Sequence, residues 1–338
     1  MKILKDYSLY NLNYFKIKAS ARELIYIERE EDYHHLFDGK ILNNGPHMIL
    51  GDGSNILFTT DFDGICIKTL LDGISVVKED KRHVWLRVES GMNWHKLVLR
   101  TLDMGLQGLE NLSLIPGTVG ASPIQNIGAY GVEIKEFIDQ VEALDIKGGE
   151  VFNLSNKDCE FNYRSSIFKK QYKNRFLIKS ILLRLNKIPR YNTSYDMILE
   201  TMDELNLKEV NAKNISNAVI HIRKKKLPDP DTTGNAGSFF KNPIVDKTDY
   251  EGLRAEFPGI KGFQLDKTQF KVSAAWLIEA CGWKGKHLGD AGVHSNQPLV
   301  LINRGKASGR EILSLSEKIR EDVAHKFGIE LQPEVNIV

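Results

Sequence analysis

The chain has 338 residues, long enough for two or three domains. Its composition, 42% hydrophobic and 27% charged, is ordinary for a soluble globular protein. A formal net charge of +2 provides no global field for holding nucleic acid, so no nucleic-acid partner is expected. Cys66, Cys159 and Cys281 lie far apart without a CxxC pair, so we predict neither a disulfide framework nor a zinc site.

Targeting and membrane-spanning patterns are not found in the sequence. Residues 1–18 contain no apolar core with a small-residue cleavage pattern, which argues against a secretory signal. No run of eighteen apolar residues occurs, so no transmembrane helix is predicted. We therefore expect a cytoplasmic protein without a membrane partner, as a monomer or a weak oligomer.

The first third of the chain is predicted to alternate short strands with short helices. β-branched and alternating apolar residues indicate strands at 21–28, 65–68, 75–77 and 84–89. Residues 30–37 fit one short helix. Residues 94–104 predict a longer helix, because apolar side chains from Trp94 to Leu102 recur at helical spacing before Gly105.

The remaining elements indicate a mixed architecture. A hairpin is predicted where residues 147–150 separate two apolar runs, followed by a strand at 176–185. Further predicted elements are helices at 197–205, 212–224, 272–281 and 309–327, a linker at 226–234, a strand at 299–303 and an extended end at 331–338. No βαβ series recurs, so the fold class predicted is α+β.

Two glycine-rich segments predict close approach of the main chain to a ligand. Residues 51–55, Gly-Asp-Gly-Ser-Asn, form a tight turn whose N–H groups can converge on phosphate, with a plain hairpin turn as the alternative. Residues 109–132 carry four glycines among polar side chains, with a turn-rich connection as the alternative. The spacing is not that of the Rossmann fingerprint, but together the segments favour a bound dinucleotide.

Three side chains stand out as candidates for chemistry. Arg164 lies among aromatic and apolar residues, which suits either a clamp for a substrate carboxylate or a structural ion pair. Ser238, between glycines and two phenylalanines, can give a proton to a reaction centre or can be a turn serine. Glu334, on the apolar C-terminal stretch, is a candidate acid whose alternative is a solvent-facing side chain.

Neither the histidines nor the basic run is predicted to take part in catalysis. The nine histidines lack HExxH spacing, so no catalytic metal is predicted, and His294 is interpreted as a satisfied loop histidine. The run from His221 to Lys226 is interpreted as a solvated helix end, with phosphate contact plausible for Lys226.

Four blocks together resemble the UDP-N-acetylenolpyruvoylglucosamine reductases, the MurB family, of the longer type with a tyrosine loop. The blocks are residues 51–55, 115–131, 163–169 and 234–243, and Pro333-Glu334-Val335 fits as well. The resemblance implies a two-lobed FAD-binding region of the vanillyl-alcohol-oxidase/PCMH type and a smaller α+β substrate-binding domain. The corresponding division is 1–70 with strand 329–338, 71–210, and 211–328.

The resemblance also implies cofactors, substrate and residue roles. FAD is held non-covalently, NADPH is the co-substrate and a UDP-sugar is the substrate, whose enolpyruvyl group is reduced. Arg164 and Glu334 stabilise an enolate and Ser238 donates the proton. Cofactor-binding positions are Gly51, Gly53, Ser54, Asn55, Pro116, Gly117, Thr118, Gly120, Ala121, Ser122, Asn126, Gly128 and Ala129. Substrate-binding positions are Tyr163, Tyr195 (with Tyr191 as its competitor over the diphosphate), Lys226, Asn242 and Gln297.

Two other functions remain open from the sequence. An FAD-dependent alcohol or hydroxy-acid oxidase of the same fold would share the glycine loops but has no need of the Gly-Ser-Phe-Phe block. A nucleotide or RNA binder using the basic run is disfavoured by the near-neutral charge.

Overall fold

The computed structural model describes residues 1–38, 41–43 and 45–338. Its α-helices are α1 Asp32–Asp38, α2 Trp94–Asp103, α3 Met197–Glu204, α4 Ala212–Lys226, α5 Lys247–Glu256, α6 Ala274–Ala280 and α7 Gly309–Phe327. Its strands are β1 Lys2–Ser8, β2 Ser20–Ile27, β3 His47–Ile49, β4 Ile56–Leu57, β5 Phe62–Thr69, β6 Ile74–Glu79, β7 His83–Glu89, β8 Gly128–Ala129, β9 Val132–Glu133, β10 Ile138–Asp145, β11 Val151–Ser155, β12 Phe176–Asn186, β13 Gly234–Ser238, β14 Ile244–Asp246, β15 Gly262–Gln264, β16 Gln269–Val272, β17 His287–Leu288, β18 Ala291–Val293, β19 Val300–Asn303 and β20 Asn336–Ile337.

The chain divides into two compact units, each built from three separate stretches of the sequence. Unit 1 comprises Met1–Tyr7, Ala21–Asp52 and Asp63–Lys225. Unit 2 comprises Ser8–Ser20, Gly53–Phe62 and Lys226–Val338. The finer division into 1–70 with 329–338, 71–210 and 211–328 is not tested by these two units and stays a prediction.

Unit 1 is built around an antiparallel five-stranded sheet of order β11-β10-β12-β7-β6. In the central strand β12, Ile181 pairs with Val141 of β10 and with Val88 of β7, and all three side chains are buried. Helix α2 adds Trp94 and other apolar residues to the same core. The predicted helix is confirmed, and it begins where the Asn93 side chain accepts the Lys96 N–H.

Unit 1 also contains a four-stranded sheet of order β1-β2-β5-β3, in which β3 and β5 are parallel. Alternate residues of β2 and β5 bury Ile25, Ile27, Ile65 and Ile67 with Tyr33 of α1. A separate apolar cluster joins α3 and α4. These packed layers provide rigid support for the loops that follow the strands.

Unit 2 contains an antiparallel sheet of order β13-β19-β18-β17, a three-stranded sheet β14-β16-β15, and a parallel pair of β20 with β4. Helix α7 begins with a reciprocal cap between Ser308 and Glu311 and ends at Gly328, whose φ is +65°. The predicted helix at 309–327 is confirmed. The one predicted at 272–281 begins later, because Val272 completes β16 and the Ser273 side chain caps the helix.

Helices and sheets of mixed order occur in both units, so the predicted α+β class is confirmed. None of the helices in the described residues combines the length and apolar character that a membrane-crossing segment needs.

Candidate functional site

A buried lysine fixes the first glycine segment in unit 1. Lys68 of β5 donates from Nζ to the carbonyl of Gly51 and lies 3.2 Å from Asp52 Oδ1. A Cβ on Gly51 would lie only 3.1 Å from Thr118 Oγ1. Because Gly51 has no Cβ, its main chain can therefore pack closely against Thr118 of the second glycine segment.

The loop from Pro116 to Ser122 is a folded turn, and it uses most of its own amides. Four N–H groups donate to main-chain carbonyls: Val119 to Met92, Gly120 to Ser90, Ala121 to Thr118 and Ser122 to Val119. Ser122 is buried and its Oγ also donates to Val119 O, at 2.7 Å. Within the described part of the chain, the N–H groups of Gly117 and Thr118 have no main-chain acceptor and could therefore donate to a ligand.

Asn126 organises the centre of the glycine-rich segment. Its side-chain Nδ2 donates to Glu133 Oε2 at 3.0 Å and to Asn162 O at 3.1 Å, and its Oδ1 accepts the Lys135 N–H at 3.1 Å. The side chain is buried. In this structure Asn126 thus links the predicted cofactor loop, which continues to Gly128 and Ala129, to the turn that carries Arg164.

The guanidinium of Arg164 is held against this loop by main-chain carbonyls. Nη2 donates to Gly128 O at 2.7 Å, and Nη1 lies 3.5 Å from Asn126 O. The guanidinium carbon also lies 5.5 Å from the Tyr163 ring centroid. These two carbonyl contacts orient the guanidinium relative to the glycine-rich segment.

Four non-glycine residues of this region have left-handed backbone conformations. Leu114 has φ of +58°, Asn126 +47°, Tyr130 +50° and Arg164 +50°. Such conformations are costly for residues with a side chain, and they cluster at functional sites when the surrounding structure enforces them. For Asn126 and Arg164, the bonds from the guanidinium to the carbonyls of Asn126 and Gly128 help to hold these conformations.

The structure distinguishes the two candidate tyrosines. Tyr191 packs against the apolar cluster of α3 and α4, whereas Tyr195 is 40% exposed. The Tyr195 ring meets Tyr130 edge-on, with centroids 5.3 Å apart. Asn111 joins their two segments by donating to the carbonyls of Tyr130 and Asn192, each at 2.9 Å. Tyr195 is therefore the tyrosine whose ring is available to a ligand.

Ser238 in unit 2 lies at an irregularity of β13. The register against β19 shifts between Asn235 and Ser238, so the strand bulges. Gly237 has φ of +68°, and nothing lies within 4 Å of the position that a Cβ would take. The neighbours Phe239 and Phe240 are buried, whereas Ser238 at the bulge is exposed to solvent.

Glu334 lies beside this serine in unit 2. Its N–H donates to Phe239 O at 2.7 Å, and the following bridge pairs Phe240 with Pro333. Its carbonyl accepts from Asn55 Nδ2 at 3.3 Å. The main chain of Glu334 thus joins the strand that follows Ser238 to the turn that carries Asn55.

The other predicted substrate-binding residues of unit 2 occupy separate local environments. Lys226 ends α4, and burial lowers the pKa of its ammonium group. Asn242 accepts the Ala274 N–H at 3.0 Å through Oδ1. The Gln297 N–H donates to His294 Nδ1 at 3.2 Å, and its buried Oε1 has no partner among the described residues. A buried carbonyl oxygen without a protein donor can accept a hydrogen bond from a ligand.

The interpretation of the basic run was wrong at one residue. Lys224 and Lys225 are exposed, as a solvated helix end requires, but Arg223 is half-buried and donates from Nε to Leu114 O at 3.2 Å. Arg223 follows the buried Val219 by four residues, so helical spacing would have placed it on the packed face. Tyr130 and Asn111 were likewise inside the glycine-rich segment but had no assigned role.

Comparisons with known proteins give consistent results. Residues 229–338 match the family model described as UDP-N-acetylenolpyruvoylglucosamine reductase, C-terminal domain, and residues 42–155 match an FAD-binding domain. The second match confirms FAD as the predicted cofactor. The chain is 45% identical to the UDP-N-acetylenolpyruvoylglucosamine reductases of Flavobacterium johnsoniae and Amoebophilus asiaticus, over all of both chains in each case. It is 41% identical to that of Pseudomonas syringae, over all of this chain and 99% of the other.

A solved structure has the same fold. The crystal structure of the UDP-N-acetylenolpyruvylglucosamine reductase (MurB) from Thermus caldophilus aligns with a TM-score of 0.67 at 22% identity, covering 99% of this chain and 98% of the other.

Proposed function

Because the chain belongs to the UDP-N-acetylenolpyruvoylglucosamine reductase family, we propose that it uses NADPH to reduce the enolpyruvyl group of UDP-N-acetylglucosamine enolpyruvate to UDP-N-acetylmuramate. Family membership makes it a flavoprotein oxidoreductase of peptidoglycan synthesis. The observation that carries the detailed proposal is the bulge in β13, which exposes one hydroxyl beside Glu334.

The residues present fit FAD. Gly51 packs its main chain closely against Thr118, and among the described residues no acceptor is found for the N–H groups of Gly117 and Thr118 in that loop. Gly53, Ser54 and Asn55 are the proposed contributors from unit 2. When bound, FAD supplies hydride transfer from NADPH to the enolpyruvyl group. Non-covalent attachment is proposed, as in the sequence-based expectation.

Ser238 is proposed as the proton donor. A serine hydroxyl is a weak acid, but a carbon that has just gained hydride at its neighbour is basic enough to take its proton. The adjacent Phe239 and Phe240 are buried and anchor the strand that carries the serine. The exposed hydroxyl on a constrained strand is therefore positioned by backbone geometry, without depending on a general base.

Arg164 and Glu334 are proposed to stabilise the enolate that forms as hydride arrives. The guanidinium is pre-oriented by Gly128 O and Asn126 O, so its charge is fixed before the reaction and costs no reorganisation. The main chain of Glu334 is fixed by Phe239 and Asn55. For the substrate, we propose that Tyr163, Tyr195, Lys226, Asn242 and Gln297 contact the nucleotide sugar.

The two half-reactions test the proposal separately. Purified protein is expected to be yellow and to oxidise NADPH only with the enolpyruvyl nucleotide sugar present. In Ser238→Ala, flavin reduction by NADPH should stay near normal, whereas reoxidation by the nucleotide sugar should be lost. Ser295→Ala, an exposed serine of the same unit, serves as the control and should leave both steps unchanged. Equal losses in both half-reactions of Ser238→Ala would exclude the proton-donor role.

The same-fold oxidase makes a different prediction. Such an enzyme would consume oxygen with an alcohol or hydroxy acid and would need no NADPH. Absence of oxygen uptake with these substrates, together with NADPH oxidation that depends on the nucleotide sugar, would exclude it. Oligomeric state, absence of nucleic-acid binding and cytoplasmic location stay predictions.

A further inference from the structure

Asn111 is a buried amide that the proposed chemistry does not use. It lies in the short 3-10 helix Glu110–Leu112, and it is 1% exposed. Its Nδ2 donates to Tyr130 O and to Asn192 O, each at 2.9 Å, so both amide protons bind main-chain carbonyls. Its Oδ1 is buried and has no hydrogen-bond partner among the described residues. The reverse amide orientation would place Oδ1 against two carbonyl oxygens, so Asn111 serves here as a double donor.

The short helix that carries Asn111 is itself held in place. Glu110 Oε2 accepts the Gly108 N–H at 2.6 Å. On the other side, Trp94 of α2 donates from Nε1 to Leu112 O at 3.0 Å, and its ring is buried in the core of unit 1. Because its own main chain is supported on both sides, the Asn111 amide offers its two donors at a defined position.

Residues 192–195, the tyrosine segment, depend on such contacts for their position. They belong to no helix or strand, since β12 ends at Asn186 and α3 begins at Met197. Two hydrogen bonds connect the segment to the turn at 130–131, one through Asn111 and one from Asn192 Nδ2 to Gly131 O at 3.0 Å. Segments outside regular secondary structure open at low free-energy cost, so the loss of either bond should favour opening.

The ring of Tyr195 is aligned through the same amide. The ring meets Tyr130 edge-on, with centroids 5.3 Å apart, and Tyr195 is 40% exposed. An edge contact between rings is weak by itself. Asn111 binds the carbonyl of Tyr130 and that of Asn192, and therefore holds together the two main-chain segments from which the rings project.

We propose that Asn111 is a positioning residue that docks the tyrosine segment against the glycine-rich segment. It acts through Tyr195, and the inference rests on the proposed function for the contact of Tyr195 with the nucleotide sugar. A ligand that needs the docked segment has an apparent Kd that rises as the docked fraction falls. In the bound complex the segment is docked in every variant. Loss of the Asn111 donors should therefore change KM far more than kcat.

The test uses the full-length protein loaded with FAD. Asn111→Asp keeps the shape of the side chain but replaces the double donor with an oxygen that faces two carbonyls. Asn111→Ala removes the donors without that repulsion, and it decides the question if the aspartate variant does not fold. Hydrogen exchange of the amides in residues 192–195, read by mass spectrometry, is compared with steady-state kcat and KM, and thermal unfolding verifies that each variant is folded.

Asn156→Asp is the matched control. Asn156 Nδ2 also donates to two main-chain carbonyls, Lys135 O at 2.7 Å and Ile138 O at 2.8 Å, and neither belongs to the tyrosine segment. The same chemical change therefore removes the same number of bonds elsewhere in unit 1. A role that is only structural would give the same result at both positions.

In both Asn111 variants, the amides of residues 192–195 are expected to exchange about tenfold faster than in wild type. The KM for the nucleotide sugar should rise about tenfold, with kcat within about threefold of wild type. Asn156→Asp should lower the unfolding temperature and leave both the exchange of residues 192–195 and KM near wild type. Unchanged exchange in the folded Asn111 variants, or an equal acceleration in Asn156→Asp, would overturn the inference.

Failure of the proposed function gives a different pattern, because hydrogen exchange requires no turnover. If wild-type protein oxidises no NADPH with the nucleotide sugar, the reductase proposal fails, and the exchange series still decides whether Asn111 docks the segment. If wild-type protein is an active reductase and the Asn111 variants keep its exchange rates and KM, only the role of Asn111 is refuted.

Discussion

Two glycines with the same backbone angle should respond very differently to an added methyl group. Gly53 and Gly237 both have φ of +68°, so alanine carries the left-handed penalty of about 1–2 kcal/mol at each. At Gly237 nothing lies within 4 Å of the new Cβ. At Gly53 the Cβ would lie 1.9 Å from Leu12 O and 2.8 Å from Asn13 Cα. The comparison therefore separates backbone strain from steric overlap.

The overlap at Gly53 cannot be relieved by rotating a side chain. The atoms that it meets are main chain, and Asn13 is locked in place by side-chain bonds to Leu9 O and Ile17 O. Moving the turn would also strain the bond from Tyr14 N to Gly53 O, now 3.0 Å. Overpacking costs about 1–3 kcal/mol and a lost hydrogen bond about 1 kcal/mol, so Gly53→Ala should lose about 4 kcal/mol in all.

Urea unfolding in the presence of FAD measures the difference. With a slope of about 2 kcal/mol per molar urea, Gly53→Ala should lower the midpoint by about 2 M and Gly237→Ala by less than about 1 M. Because the stabilisation by bound FAD depends on the Kd of each variant, the midpoints are compared at several FAD concentrations to separate cofactor linkage from the folding cost. A midpoint for Gly53→Ala at or above that of Gly237→Ala would refute the steric reasoning.

Three further predictions concern unit 1. Asn126→Ala should lower the free energy of unfolding by about 3 kcal/mol, because it loses buried hydrogen bonds. The control Asn174→Ala, at an exposed residue that also has positive φ, should lower it by about 1 kcal/mol. Equal losses in urea unfolding would contradict this. Lys179→Met should cost about 3–5 kcal/mol, because its buried ammonium pairs with Glu30 and Glu142, whereas Lys187→Met at an exposed pair should cost less than about 1 kcal/mol. Comparable thermal shifts would reject the burial argument. The pKa of His95 is lowered from 6.5 in the folded protein, so the unfolded chain binds more protons below that pH, and the free energy of unfolding should fall as the pH drops below 6.5. His95→Gln should therefore flatten that part of the plot of urea midpoint against pH. An unchanged slope would exclude His95 as the source of the pH dependence.

The elements that the sequence predicted well are those with a strong local signal. Helix α7 carries its own cap at Ser308 and its own stop at Gly328, and the long periodic stretch between them fixed both ends. Strand β12 is a long apolar run buried on both faces. In contrast, β1 alternates weakly and is largely exposed, and its place depends on pairing within a sheet whose order the local residues do not encode.

At the candidate site too, features with a local sequence signal were predicted and contacts between distant residues were not. Glycine spacing identified the segments at 51–55 and 117–131, because glycine is needed wherever the main chain must approach a ligand. It did not reveal that four amides of the 117–122 loop donate to protein carbonyls, two of them inside the loop and two at a distant turn containing Ser90 and Met92. Arg223 was misinterpreted because basic neighbours dominated the local pattern, although its helical phase was available.

Several residues with left-handed backbones lie in or next to the segments of the proposed site, although others, such as Asp6 and Asn206, do not. Leu114, Asn126, Tyr130 and Arg164 all have left-handed backbones, at about 1 kcal/mol or more each, in a chain whose total stability is only of the order of 5–15 kcal/mol. A stability-driven sequence would place glycine at these positions. Glycine at 126 would remove the hydrogen bonds that orient the Arg164 turn, and glycine at 130 or 164 would remove the phenol or the guanidinium. The strain is therefore best explained as the cost of aiming these side chains from a turn, and the packed sheet of unit 1 offsets it.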